Sequence, residues 1–306
     1  MRTQKILTVY NTCGVNGDKT DWYSKCLESV LGQDHPQEVV VSSCLNSDEC
    51  INTLKERFGN DIKICRFFDR YIVNTTFNKT VLEFGKGKDA YFFIDSGVEL
   101  TNKSSLSEMV KRLKNHSMVT LQTDTDTGFE TIGGKQDSNE MQVTGEDFVL
   151  PLGKAINLHA QLFSRHIQEN FGLVIPDVFA AYCTESTFPF LNASVMKKWC
   201  IVADVMCHHN KAVDGPSSTQ PHWSPVHRSP WNNLLYGRNA LDFINDAEAK
   251  RVGLGYEECG GIMPHDPDAY DNELAKYPIS LSIAISKYFY TNKSELDYDS
   301  IRVQIY

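Results

Sequence analysis

The chain has 306 residues, of which 41% are hydrophobic and 23% charged, and its formal net charge is −9. That length can bury one large core or two closely packed halves, and that composition is the composition of a soluble globular protein. The acidic balance, with no basic tract, argues against a nucleic-acid partner held mainly through its phosphates.

No apolar run approaches the roughly 20 residues needed to cross a bilayer, so no transmembrane segment is expected. Met1 to Lys5 lead straight into the strand-like Ile6 to Tyr10, which is too short for a secretory apolar region. The nine cysteines are scattered and form no CxxC pair, as expected of reduced, mostly buried thiols. A cytoplasmic protein is therefore expected.

Ile6-Leu7-Thr8-Val9-Tyr10 reads as a first strand, ended by a turn at Asn11-Thr12-Cys13-Gly14. After a polar loop, Trp22, Cys26, Leu27, Val30 and Leu31 fall at helical spacing up to Gly32. Glu38 to Val41 is a second strand, with a polar loop over Ser42 to Ser47. Glu49 to Phe58 is a second helix, its inner face formed by Ile51, Leu54 and Phe58. Ile62 to Phe67 alternates as a strand does, and Asn74 to Phe84 is expected to be helical. Next comes the short apolar run Tyr91 to Ile94, the mark of a strand buried on both faces, which stops abruptly at Asp95-Ser96-Gly97. Alternating strand and helix predicts a mostly parallel, doubly wound sheet with helices on both faces. Ligands then sit beyond the carboxyl ends of its strands.

Leu106 to Leu113 is an amphipathic helix and Met118 to Gln122 a strand. Thr123 to Asp147 reads as an irregular excursion in which Asp124 and Asp126 are more plausibly solvated than metal-bound. Asn157 to Phe171 has helical spacing through Leu158, Leu162 and His166 or Ile167, with Gly172 as its stop. A helix is expected from Glu185 to Lys198, provided that Pro189 lies in its first turn. Cys200 to Met206 is a strand running into His208-His209. Asn210 to Trp231 lacks periodicity and is rich in Pro, Ser, His and Trp, as a functional lid or a disordered segment is. Leu234 to Arg251 should be helical, Ser280 to Phe289 is an apolar helix or strand, and Ile301 to Ile305 alternates.

Three features come in a telling order: Asp95 after a buried strand, Thr184-Glu185-Ser186 at a helix start, and His208-His209 after the next strand. Leu7-Thr8-Val9-Tyr10-Asn11, Cys26-Leu27-Glu28-Ser29-Val30-Leu31-Gly32-Gln33, Val39-Val40-Val41 with Ser47-Asp48, and Phe93-Ile94-Asp95-Ser96-Gly97 join them in sequence. Together, over roughly residues 5 to 210, this pattern resembles the family-2 glycosyltransferases of the A-type fold. The resemblance implies a single Rossmann-like A-type domain. Residues 1–210 would form the nucleotide-sugar-binding and catalytic core, and residues 211–306 a lid loop and C-terminal helical or irregular extension packed on it.

It further implies an inverting, metal-assisted transfer of a sugar from a nucleoside-diphosphate donor, such as a UDP-sugar, to a hydroxyl of a glycan or other acceptor. Glu185 takes the place of the family's general base. Asp95 with His208 or His209 would hold Mn2+ or Mg2+, a divalent cation that neutralises the departing diphosphate. Thr8, Tyr10, Asn11, Ser43, Asp95 and Ser96 fall where the donor binds. In the lid, Lys211 and Arg228 are placed for the diphosphate, and Trp223 and Trp231, with His222 and His227, for stacking on a base or sugar ring.

The residues also depart from that pattern. Gly97 stands where the second metal-binding acid belongs, with Glu99 as a candidate substitute, and Ser42 or Ser43 stands where a base-reading Asp belongs. Ser186 follows Glu185 in place of an acid. Two rival readings follow. One is a non-catalytic nucleotide-sugar or glycan-binding module with a degenerate metal site. The other is a nucleotidyltransferase, for which Val15 to Lys19 is a thin triphosphate loop. The plainer readings of the same residues are an ordinary turn at Asp95, a helix cap at Glu185 and a strand end at the histidines.

Overall fold

The computed structural model describes residues 3–14, 17–69, 71, 73–123, 148–149, 159–175, 201–209 and 297–306. Four parallel strands form its first half: β1 (Ile6–Cys13), β2 (Gln37–Cys44), β3 (Ile62–Phe67) and β4 (Ala90–Ile94). They lie side by side in the order β3-β2-β1-β4. Three helices connect them: α1 (Thr20–Leu31), α2 (Asp48–Phe58) and α3 (Val73–Phe84). This is the expected doubly wound pattern.

Alternation along the strands separates two cores. Ile6, Tyr10, Val39, Val41, Ile62 and Phe92 pack with the apolar faces of α1 and α2. Leu7, Val9, Val40, Cys65, Tyr91 and Phe93 point the other way, onto Phe77 and Val81 of α3. Successive strand residues face opposite sides, so a fully apolar strand must be covered on both. On the α3 side the ring of Phe77 meets Phe93 edge-on, with centroids 5.2 Å apart.

Two strands are longer than expected. β1 continues through Asn11 and Thr12 to Cys13, and β2 through Ser42 and Ser43 to Cys44. The turn and the polar loop foreseen there are instead hydrogen-bonded sheet, since all eight residues of β1 pair with β2. Ser47 caps α2, its hydroxyl accepting from the Cys50 N–H at 3.2 Å.

Beyond β4 the sheet becomes mixed. It adds β5 (Val98–Leu100), helix α4 (Ser105–Leu113), β6 (Met118–Thr123), β7 (Phe148–Val149), β8 (Ala160–Ser164), helix α5 (Arg165–Phe171) and β9 (Ile201–His209). The full order is β10-β3-β2-β1-β4-β8-β6-β9-β5, with β7 on β9 and β10 (Val303–Ile305) antiparallel to β3.

One expectation is corrected. The helix foreseen from Asn157 to Phe171 begins only at Arg165, and Ala160 to Ser164 form β8. β8 is antiparallel to both β4 and β6. Leu162 and Phe163 are fully buried on opposite faces, and buried Gln161 donates from Nε2 to Thr120 Oγ1 at 3.1 Å. Pairing with two strands distant in sequence overrides the local helical spacing. Gly172 ends α5 as expected, in the left-handed conformation with φ 81°.

The helices expected over 185–198 and 234–251, the apolar segment 280–289, the lid 210–231 and the acidic excursion after Thr123 with Asp124 and Asp126 lie outside the described residues. Among the described residues, no helix is long and apolar enough to cross a membrane.

Candidate functional site

Asp95 leaves the sheet where β4 ends, and five hydrogen bonds fix the turn it begins. Asn11 Nδ2 donates to the carbonyl of Ile94 at 3.1 Å, and the Asp95 N–H donates to the carbonyl of His159 at 2.9 Å. The Ser96 N–H donates to Asp95 Oδ1 at 2.8 Å, and the Val98 N–H to the Asp95 carbonyl at 3.1 Å. Lastly the phenol of Tyr10 donates to the Ser96 carbonyl at 2.9 Å. Burial raises the Tyr10 pKa well above its ordinary value, so the phenol remains a donor. Asp95 Oδ2, unlike Oδ1, faces a histidine.

That histidine is His159, just before β8. Because β8 is antiparallel to β4 and Ala160 pairs with Ile94, the start of β8 lies at the end of β4. His159 Nδ1 is 3.7 Å from Asp95 Oδ2. The third group arrives on β9. Val98, at the start of β5, pairs with His209, and Glu99 pairs with His208. The imidazole of His209 stacks on that of His159, with centroids 3.9 Å apart and planes at 30°. One ligand atom each from Asp95, His159 and His209 lie within 4.8 Å of one another.

The two adjacent histidines are thereby distinguished. His209 joins Asp95, whereas His208 meets the Trp22 ring edge-on at 6.3 Å. Glu99 does not take the place vacated at Gly97. Its carboxylate is held by Lys25 Nζ at 2.7 Å, on the side of His208. His159 was not anticipated from the sequence, because it lay inside an expected helix. The signal that could have found it is the alternation of polar His159 and Gln161 with apolar Ala160 and Leu162, the period of a strand.

One carboxylate oxygen and two imidazole nitrogens form a donor set suited to a borderline divalent ion. Donor atoms about 2.1 Å from a shared ion lie at most about 4.2 Å apart, so the three groups are nearly close enough as they stand.

The other expected donor residues divide. Asn11 is buried at the carboxyl end of β1, and its Oδ1 has no partner among the described residues. Its neighbour across the ladder, Ser42, is in the same condition at Oγ. Ser43 is already engaged. Its hydroxyl donates to Asn46 Oδ1 at 2.8 Å, as does that of Thr12 at 2.9 Å. Asn46 Nδ2 in turn donates to Asp18 Oδ1 at 2.7 Å, and Asp18 Oδ2 accepts from the Ser47 N–H at 3.0 Å. Asp18, within the Val15 to Lys19 stretch, therefore braces the ends of β1 and β2.

Thr8 is not brought to this end of the sheet. It pairs with Phe92, about 10 Å back along β1 from the level of Asp95. Its hydroxyl donates to Gln37 Oε1. Glu185, Lys211, Arg228, Trp223 and Trp231 lie outside the described residues.

No family model matches the sequence, and no curated protein matches it. Solved structures do resemble it in three dimensions. The mannosyltransferase PcManGT from Pyrobaculum calidifontis, in complex with GDP-Man and Mn2+, is 13% identical with a TM-score of 0.54, over 94% of this chain and 74% of that one. Residues 1–349 of TarS from S. aureus are 10% identical with a TM-score of 0.52, over 99% of this chain and 96% of that one. The same TarS fragment in complex with UDP gives 12% and 0.50, over the same shares of the two chains. The chain thus has the α/β fold of the A-type glycosyltransferases, with the Asp95 turn beyond the carboxyl end of β4.

Proposed function

We propose that this protein is a glycosyltransferase that moves a sugar from a nucleoside-diphosphate donor, a UDP-sugar, to a hydroxyl of a glycan or other acceptor. The observation that carries this reading is the convergence of Asp95, His159 and His209 beyond β4. A doubly wound sheet binds its ligands beyond the carboxyl ends of its strands, and two structures similar in fold were solved with GDP-Man and Mn2+ or with UDP, which supports this reading.

Asp95 Oδ2 and His209 would hold a divalent cation, Mn2+ or Mg2+, which would neutralise charge on the departing diphosphate. Tyr10 and Asn11 fix the turn that aims Asp95. Asn11 Oδ1 and Ser42 Oγ are polar atoms at the strand ends available to the nucleoside. Lys211 and Arg228 contact the diphosphate, and Trp223 and Trp231 the acceptor. Glu185 takes the proton of the acceptor hydroxyl in a single inverting displacement.

The missing acid at Gly97 favours a second reading, a non-catalytic nucleotide-sugar-binding module. Incubation with UDP- and GDP-sugars and Mn2+, followed by detection of released nucleoside diphosphate, decides between them. Turnover that Glu185→Gln abolishes while donor binding survives supports the transferase. Donor binding with no turnover in the wild type supports the module.

A further inference from the structure

We propose that His159 is a metal ligand that replaces the carboxylate missing at Gly97, and that the resulting site selects a first-row transition ion of the Mn2+ to Zn2+ group over Mg2+. The proposal rests on the reading of this crevice as a cation-holding donor site, but it concerns the ligand set rather than the reaction.

Three independent strand ends meet at one point to make that set. Asp95 follows β4, His159 precedes β8, and His209 ends β9. The antiparallel register Ile94 to Ala160 brings the first two together, and the register Val98 to His209 adds the third. The separation of 3.7 Å between Asp95 Oδ2 and His159 Nδ1 exceeds a hydrogen bond and suits two atoms that share an ion. Both rings are largely shielded from water, His209 being 5% exposed. Glu99, the other acid at hand, is bound to Lys25 and takes no part.

The composition of the set decides its preference. Mg2+ demands oxygen ligands and near-ideal octahedral geometry, and it gives up water reluctantly. Imidazole adds little for Mg2+ but strengthens binding of Mn2+, and more so of Zn2+. Two nitrogens with one oxygen therefore reverse the balance that two carboxylates would strike.

The test uses the intact, metal-stripped chain and Mn2+ as the probe. Electron spin-echo spectroscopy of the wild type loaded with Mn2+ should show two directly bound nitrogens, a reading that requires no variant. One nitrogen or none overturns the proposal. Titration of Mn2+ by the loss of the free-ion resonance should give one site per chain that excess Mg2+ fails to empty. His159→Ala should weaken that site at least roughly tenfold, His208→Ala should leave it unchanged, and His159→Asp should restore binding with Mg2+ now competing. Equal affinity in wild type and His159→Ala, loss of the site in His208→Ala, or displacement by equimolar Mg2+ overturns it.

The two readings fail separately. Sugar transfer that runs equally on Mg2+ and survives His159→Ala sinks this inference and leaves the transferase standing. Tight Mn2+ binding through two nitrogens with no turnover of any donor does the reverse.

Discussion

The phenol of Tyr10 and the carbonyl of Ser96, 86 residues apart, are joined by a hydrogen bond of 2.9 Å that ties the first strand to the turn bearing Asp95. Tyr10 is completely buried, while Ser96 at the other end of the bond is half-buried. Tyr10→Phe keeps the ring and strands the carbonyl, which should cost about 1–2 kcal/mol. The urea midpoint should fall with the slope unchanged. Because the turn aims Asp95, Mn2+ affinity should fall as well. A variant as stable as the wild type, with unaltered affinity, would show that the turn holds its shape without this bond.

A second long-range tie lies on the other face of the sheet. Asn78 Oδ1 accepts from the Val174 and Ile175 N–H groups at 3.1 Å each, while its Nδ2 donates to the Ile175 carbonyl at 2.6 Å. Nδ2 also reaches the Tyr298 hydroxyl at 3.3 Å. One buried amide thus joins α3, the chain after α5 and the C-terminal segment. Asn78→Ala leaves several buried backbone groups without partners and should cost about 3 kcal/mol. Hydrogen exchange at Val174 and Ile175 should accelerate more than exchange in β1. Uniform acceleration throughout the chain would instead mean that the whole fold, and not this clamp, had loosened.

Gly14 marks a close approach between the chain leaving β1 and the chain leaving β2. A Cβ there would lie 2.3 Å from the Leu45 carbonyl oxygen and 2.8 Å from Asn46 Cα. Both are backbone atoms, so no side chain can swing aside. Gly14→Ala should destabilise by about 2 kcal/mol and disturb the Gly14 N–H bond to the Cys44 carbonyl. A melting temperature equal to that of the wild type would contradict the close approach.

The parallel half of the fold was legible in the sequence because its signals are local. Val39-Val40-Val41 and Tyr91 to Ile94 are apolar runs of strand length, and Ile51, Leu54 and Phe58 mark the inner face of a helix. β8 was not, because Leu158, Leu162 and His166 satisfy a helical period. Only contact with β4 and β6, both distant in sequence, makes that stretch a strand. His159 was hidden with it. Asp95 and the pair His208-His209 stood out as chemistry-bearing residues, but the sequence could not say which imidazole turns toward Asp95. The register with β5 settles that, since it sets His208 against Glu99 and His209 against Val98. Thr8 and Ser43 share strands with site residues, which is what makes them candidate donor contacts in the sequence. Their hydroxyls are engaged by Gln37 and Asn46, partners at which local sequence gives no hint.

Asp18 offers a test by pH. Burial on its own would raise its pKa, but the hydrogen bonds from Ser47 and Asn46 together outweigh it and lower the pKa from 3.8. A carboxylate whose pKa is lower folded than unfolded binds fewer protons in the native state. Its contribution is therefore complete above the unfolded value and disappears as pH falls through the folded one. Asp18→Asn should be less stable than the wild type at neutral pH, since its amide presents a donor where Ser47 or Asn46 already donates. That gap should hold above the unfolded value of 3.8 and narrow as the pH falls below it and the wild-type carboxyl takes up its proton. Urea midpoints of both proteins across that range measure it. A gap that stays constant down to the lowest pH would assign the effect of Asp18 to shape rather than to charge.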